Sequence, residues 1–299
     1  INFGAGISGI KWSGPQACLN VYKISKNGKL RTKKAVPLEA FPFCHDFALT
    51  ENHAVFFLGS IVFKNMLKVM SGWKSISNQV TYDSKIGMKV ICVRLEDLTI
   101  AKEFDLEHGA IVHFGNAFEE NGEIIVDAMY QNNFSANDTL VDVFNPDGRF
   151  GGGIYKRYTL PLNSGEAREE IMSDRESEFP TFNNHLTGSR QKYTYTACSI
   201  DNGANGFFNA FQKVKFDGES ELVTLPQGHY GSEPLFAPAV DGKEEDSGYL
   251  LEVVYDAFSH LSELQIYRAS APSDRVCKLK LKHHLPHQFH GYFTDQVFC

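Results

Sequence analysis

Four histidines, His283, His284, His287 and His290, crowd into KHHLPHQFHGYF near the end of the chain. Two others, His45 in PFCHDFALT and His113 in AIVHFGNAF, have similar apolar and aromatic neighbours. An imidazole enclosed in such surroundings loses hydration and needs a hydrogen bond or a metal ion instead. Any one of the three residues His45, His113 and His290 reads by itself as a satisfied core histidine. Together they fit a shared metal site, closed by His290 and supplied by two residues far upstream, although the pattern does not name the metal. Glu178 in SEFPTFN and Glu233 in YGSEPLFAP lie next to Pro or bulky apolar residues. A carboxylate so placed can accept the free ring N–H of a metal-bound histidine, which orients the ring and adds negative charge. A surface position at a strand end is the alternative for each.

Such a site needs a scaffold that gathers residues from opposite ends of 299 residues. Strand-like runs recur with turn chemistry between them: Cys18–Ser25, Ala54–Phe63, Met88–Leu95, Glu123–Ala128, Lys192–Ile200, Gly248–Asp256, Glu263–Ala269 and Val276–Leu281. The breaks include Asn27-Gly28, Asn121-Gly122 and Asn202-Gly203, where Asn-Gly tolerates positive φ. Asn145–Gly153 reads as a turn-rich loop without the strand–loop–helix setting of a phosphate cradle. Helix is scarce and no linker divides the chain, so an all-β single domain over 1–299 is expected. Ile61–Ile76 differs. Phe63, Met66, Leu67, Met70 and Trp73 form a helical apolar stripe edged by Lys64, Lys68 and Lys74. That stripe suits either packing on the sheet or a dip into a membrane surface.

Composition narrows the partners. Hydrophobic residues make up 42% of the chain and charged residues 22%, which supports a packed core rather than disorder. The 24 Phe suit a sheet-rich protein or one enclosing an apolar conjugated ligand. A net charge of −7 with no long basic tract argues against nucleic acid. Six scattered Cys lack a CxxC pair, and no apolar run has the length of a spanning helix. Two N-x-S/T sequons, at Asn133 and Asn137, carry little weight alone. No targeting signal is visible, and a cytoplasmic protein with peripheral membrane contact is expected.

Five motifs in order, HDFALTENHAVFF, HFGNAFEENGEIIVD, SEFPTFN, YGSEPLFAP followed by EEDSGYLLEVVYD, and PHQFHGYF, resemble the carotenoid cleavage oxygenase family over nearly the whole chain. The ending looks most like cyanobacterial members. The resemblance implies a seven-bladed β-propeller with Fe(II) on its axis, held by four histidines. Motif by motif, it places metal ligands at His45, His113 and His290, and their outer carboxylates at Glu178 and Glu233. It also implies O2-dependent cleavage of a C=C bond in a carotenoid or apocarotenoid. Stilbene cleavage, isomerisation, or an inert polyene-binding fragment are the alternatives on the same scaffold. The family's first histidine lies upstream of a strand resembling INFGAG. The chain is therefore expected to be an incomplete propeller with at least one N-terminal blade absent. In the family, the position of Ile61–Ile76 borders the tunnel mouth and faces membrane.

Overall fold

The computed structural model describes residues 1–11, 14–39, 41, 43–134, 151–201 and 207–294, with the side chains of 5–11, 14, 15 and Met66 excepted. The sequon at Asn137, most of the Asn145–Gly153 loop, the Asn202-Gly203 turn and Cys299 lie outside these residues.

The described chain is a succession of antiparallel sheets. β1 (Asn2–Lys11), β2 (Gly14–Ile24) and β3 (Leu30–Pro37) form the first, and the predicted Asn27-Gly28 turn sits between its last two strands. β4 (Ala48–Leu49) and β5 (His53–Leu58) begin a second sheet. An excursion then interrupts it: β6 (Ile61–Phe63), the short helix α1 (Met66–Met70) and β7 (Val80–Tyr82). β8 (Met88–Arg94) and β9 (Ile100–Leu106) complete that sheet in the order β4-β5-β8-β9.

A seven-stranded sheet follows in simple succession: β10 (Ala110–Glu120), β11 (Glu123–Gln131), β12 (Gly153–Pro161), β13 (Arg168–Thr181), β14 (Tyr193–Cys198), β15 (Ala210–Lys215) and β16 (Ser220–Thr224). The last sheet contains β17 (His229–Tyr230), β18 (Leu235–Pro238), β19 (Gly248–Asp256), β20 (Leu261–Arg268) and β21 (Ala271–Lys280).

The cores follow from side-chain pattern. Five of the six residues of β5 and five of the seven of β8 are buried, centred on the apolar runs Ala54–Leu58 and Val90–Val93. Phe57, Val90, Phe114, Val126 and Tyr158 join the second sheet to the third in one cluster. β19 alternates buried and less buried positions instead, as a strand with one solvated face should. Between β10 and β11, Asn121 and Gly122 both take positive φ, 53° and 79°, the geometry that a two-residue hairpin turn favours.

Three expectations need correction. Ala54–Phe63 is not one strand: it breaks at Gly59-Ser60, where the Ser60 N–H donates to the Gly109 carbonyl at 2.7 Å. Ile61–Ile76 is not one amphipathic helix. Asn65 caps a single turn by accepting from Lys68 N, and Gly72, at φ 71°, lies just beyond its end. β12 and β13 lie in a stretch where no strand is expected; the first four residues of β13 (REEI) are all exposed and read as a charged run.

Candidate metal centre

Each of the three imidazoles arrives by a different local device. His113 lies in β10 where the register with β11 slips: Ile111 faces Tyr130 but Phe114 faces Ala128. Two residues, Val112 and His113, therefore oppose one, and such a bulge re-aims a side chain. His45 lies in the irregular segment between β3 and β4. His290 lies in the segment after β21 that follows no strand ladder. Gly291 brings that segment in close, since a Cβ there would stand 2.6 Å from Leu235 Cδ1.

The three meet. One ring nitrogen from each of His45, His113 and His290 lies within 4.8 Å of the others. The His45 and His113 rings approach edge-on with centroids 5.3 Å apart, and those of His113 and His290 are 4.7 Å apart. A carboxylate lies behind each of two of these rings. His113 Nδ1 is 2.6 Å from Glu178 Oε2, and His290 Nδ1 is 3.2 Å from Glu233 Oε1. Glu178 also accepts from Gln131 Nε2 at 3.0 Å and from the Phe179 N–H at 2.9 Å. Glu233 accepts from the Gly291 N–H at 2.8 Å.

Two contributors escaped sequence reading. Gln131 is buried at the end of β11, where nothing in the pattern marks it. Phe179 is a buried, bulky residue at φ 55°, a left-handed conformation that only strong surrounding constraints maintain. It sits in a second register slip, where Glu178 faces Ala197 but Thr181 faces Tyr195. That turn directs its N–H to Glu178 and its ring to both His113 and His290, with centroids at 5.4 and 5.5 Å.

Charge is distributed unevenly over the cluster. Burial, and then the neighbouring His113, lower the His45 pKa. Burial opposes protonation of His113 too, but the charge and hydrogen bond of Glu178 outweigh it and raise the pKa. Asp46, next to His45, is pushed up by burial.

The donor set fits a divalent metal. A carboxylate only accepts, so Nδ1 of both His113 and His290 carries the proton and, in the neutral rings, Nε2 presents a lone pair. Those two Nε2 atoms face each other at 3.1 Å. That separation fits either a shared proton, as in an N–H···N hydrogen bond, or a metal ion held by both nitrogens. Nitrogens each ~2.1 Å from one ion, at a right angle, stand about 3.0 Å apart. Borderline imidazole donors suit Fe, Zn, Cu or Ni better than Mg or Ca.

The cluster lines a cavity of about 520 Å³ whose other walls include Phe43, Val80, Val112, Phe134 and Phe289. Ile76 and Ser77 also line it, joining the cavity to the 61–76 segment. There Leu67, Met70 and Trp73 are exposed, Trp73 by 79%. Phe63 is only partly exposed and packs against Ile61 and Val80, and the Met66 side chain lies outside those described. Of the remaining histidines, His283 and His284 are exposed as expected, and His53 is tied to Glu119 at 2.9 Å.

Residues 1–295 match the family described as retinal pigment epithelial membrane protein, RPE65. Among curated proteins, the apocarotenoid-15,15'-oxygenase of Synechocystis is 31% identical over 284 residues, covering 93% of this chain and 57% of that protein. A carotenoid 9,10(9',10')-cleavage dioxygenase of Crocus sativus is 27% identical over 292 residues, covering 91% of this chain and 52% of that one. A solved variant of the Synechocystis apocarotenoid oxygenase superposes with a TM-score of 0.84 at 28% identity, covering 98% of this chain and 60% of that chain. The cobalt-substituted form of that oxygenase gives 0.81 at 27% identity, with coverages of 96% and 63%. The fold is accordingly that oxygenase's β-propeller, in part: the chain spans between half and two thirds of the length of these proteins.

Proposed function

This chain belongs to the retinal pigment epithelial membrane protein family of carotenoid oxygenases, and from that membership we propose that the protein is a non-haem Fe(II) dioxygenase. Its reaction is cleavage of one C=C bond in a carotenoid or apocarotenoid: alkene plus O2 gives two carbonyl products. The observation that carries this reading is the pair of opposed imidazole nitrogens 3.1 Å apart, each ring backed by a carboxylate, in the wall of an apolar cavity.

His45, His113 and His290 hold the iron, which when bound supplies the redox chemistry that lets O2 react with an alkene. Neutral imidazoles leave the ion's charge uncompensated at first contact. Glu178 and Glu233 supply the negative charge one hydrogen bond further out and keep the His113 and His290 rings in the metal-binding tautomer. Gln131 and the Phe179 N–H hold Glu178 in that task. Phe43, Phe134, Phe179 and Phe289 bind the polyene by contact area and exclude water from it. The position of cleavage is set by how far the polyene enters this cavity, so cavity shape selects the bond.

The exposed Leu67, Met70, Trp73 and Ile76, with Lys64, Lys68 and Lys74 alongside, give the protein a membrane-facing patch at the cavity. Among the described residues no helix is long and apolar enough to cross a membrane. On this reading, substrate enters from a lipid surface that the exposed patch touches.

The test is anaerobic loading with Fe(II), addition of O2 to a panel of carotenoids and apocarotenals, and recording of visible absorbance and aldehyde masses. Bleaching with paired carbonyl fragments is expected. Stoichiometric iron with no bleaching of any polyene would overturn the reading.

A further inference from the structure

The segment that carries His290 leaves β21 without joining a sheet, and something must fix where it goes. Its first anchors are at Ser262, whose carbonyl accepts from Leu281 N at 2.9 Å and whose Oγ accepts from Leu285 N at 2.8 Å. The last is the Gly291 N–H on Glu233, within the metal centre itself. Between them His287 lies flat on Phe207, centroids 4.1 Å apart and planes within 10°. Tyr255 and Tyr230 meet the same imidazole edge-on at 5.7 and 6.4 Å. The crevice below, lined by Tyr230, Tyr255, Leu285 and Pro286, retains about 10 Å³.

We propose that His287 is a positioning residue: its stack on Phe207 sets the path of residues 285–291 so that His290 reaches the site shared with His113. The stack tethers the segment on one side of His290 and the Gly291–Glu233 hydrogen bond tethers it on the other, so the ligand sits on a short span held at both ends. A metal then binds a nitrogen already in place rather than one that must be ordered first. Partial enclosure by these aromatic faces lowers the His287 pKa although the residue keeps exposed surface, which favours the neutral ring and makes phenylalanine a fair replacement for it. The inference rests on reading His290 as a metal ligand, and the tests separate the two.

Co(II) affinity is measured by titration for the parent, H287A, H287F and F207A, together with the melting temperature of each metal-free protein. H287A is expected to bind about tenfold more weakly, with its melting temperature near the parent's. H287F is expected to recover to within about twofold, and F207A combined with H287A to be no worse than either alone. Parent-like affinity in H287A overturns the proposal, and so does an H287F as weak as H287A. Amide exchange of residues 288–291 in metal-free protein is the second measurement. It should rise in H287A and return in H287F. A parent that binds no metal defeats the reading of the site, while unchanged exchange in H287A defeats this inference alone.

Discussion

Glu178 and Glu252 are both buried carboxyls on strands, 5% and 0% exposed, and their surroundings are opposite. Glu178 receives three donors: an imidazole, an amide and a backbone N–H. Glu252 shows no hydrogen-bond partner for either oxygen among the described residues, and burial alone pushes its pKa up to about 8. A buried carboxyl is therefore not a functional marker by itself. Convergent donors distinguish the group that orients a metal ligand from the group that folding holds neutral at a cost.

The comparison breaks most severely at the imidazoles. His113→Ala or His290→Ala should lower metal affinity by two orders of magnitude or more, while Glu252→Gln leaves it unchanged, read by equilibrium dialysis. Removing the orienting carboxylate has a smaller effect. Glu178→Gln should cost about 10–100-fold in affinity, and equal affinity in parent and variant would remove Glu178 from its assigned role.

The Glu252 side of the comparison is a pH effect. The unfolded carboxyl loses its proton near its ordinary value of 4.5, while the folded one keeps it to about 8. The folded state thus binds more protons between those limits, so stability falls as pH rises through that window and levels off above it. The total is on the order of a few kcal/mol. Denaturant titrations from pH 5 to 9 should show this slope in the parent and not in Glu252→Gln. Parallel curves would contradict it. The smallest effect belongs to the surface: Trp73→Ala should weaken partition onto anionic vesicles by roughly 3–30-fold, with iron binding unchanged, as a sedimentation assay would report.

Much of the site could be read from the chain before its coordinates, though unequally. The setting of each histidine suggests a buried ring in need of a partner, but only His113 is partly enclosed, while His45 and His290 are exposed. The order of the five motifs brought His45, His113 and His290 together, with Glu178 and Glu233 behind them. Gln131 was invisible because an amide at a strand end has no sequence signal. Phe179 was invisible because a left-handed backbone is usually announced by Gly or Asn, and here the surrounding sheet imposes it on a bulky residue. The 61–76 stripe had the right period, but Ser71 and Gly72 end the helix after one turn. The Asn-Gly turn at Asn121-Gly122 was legible because turn chemistry is local, whereas the bulge that aims His113 depends on its partner strand.

The most direct test is Fe(II) loading under argon, followed by metal analysis and iron X-ray absorption of the parent and His290→Ala. One iron per chain with nitrogen neighbours at ~2.1 Å, lost in the variant, is the predicted result. A parent that retains no iron, or a variant that retains it with the same nitrogen shell, would contradict the account.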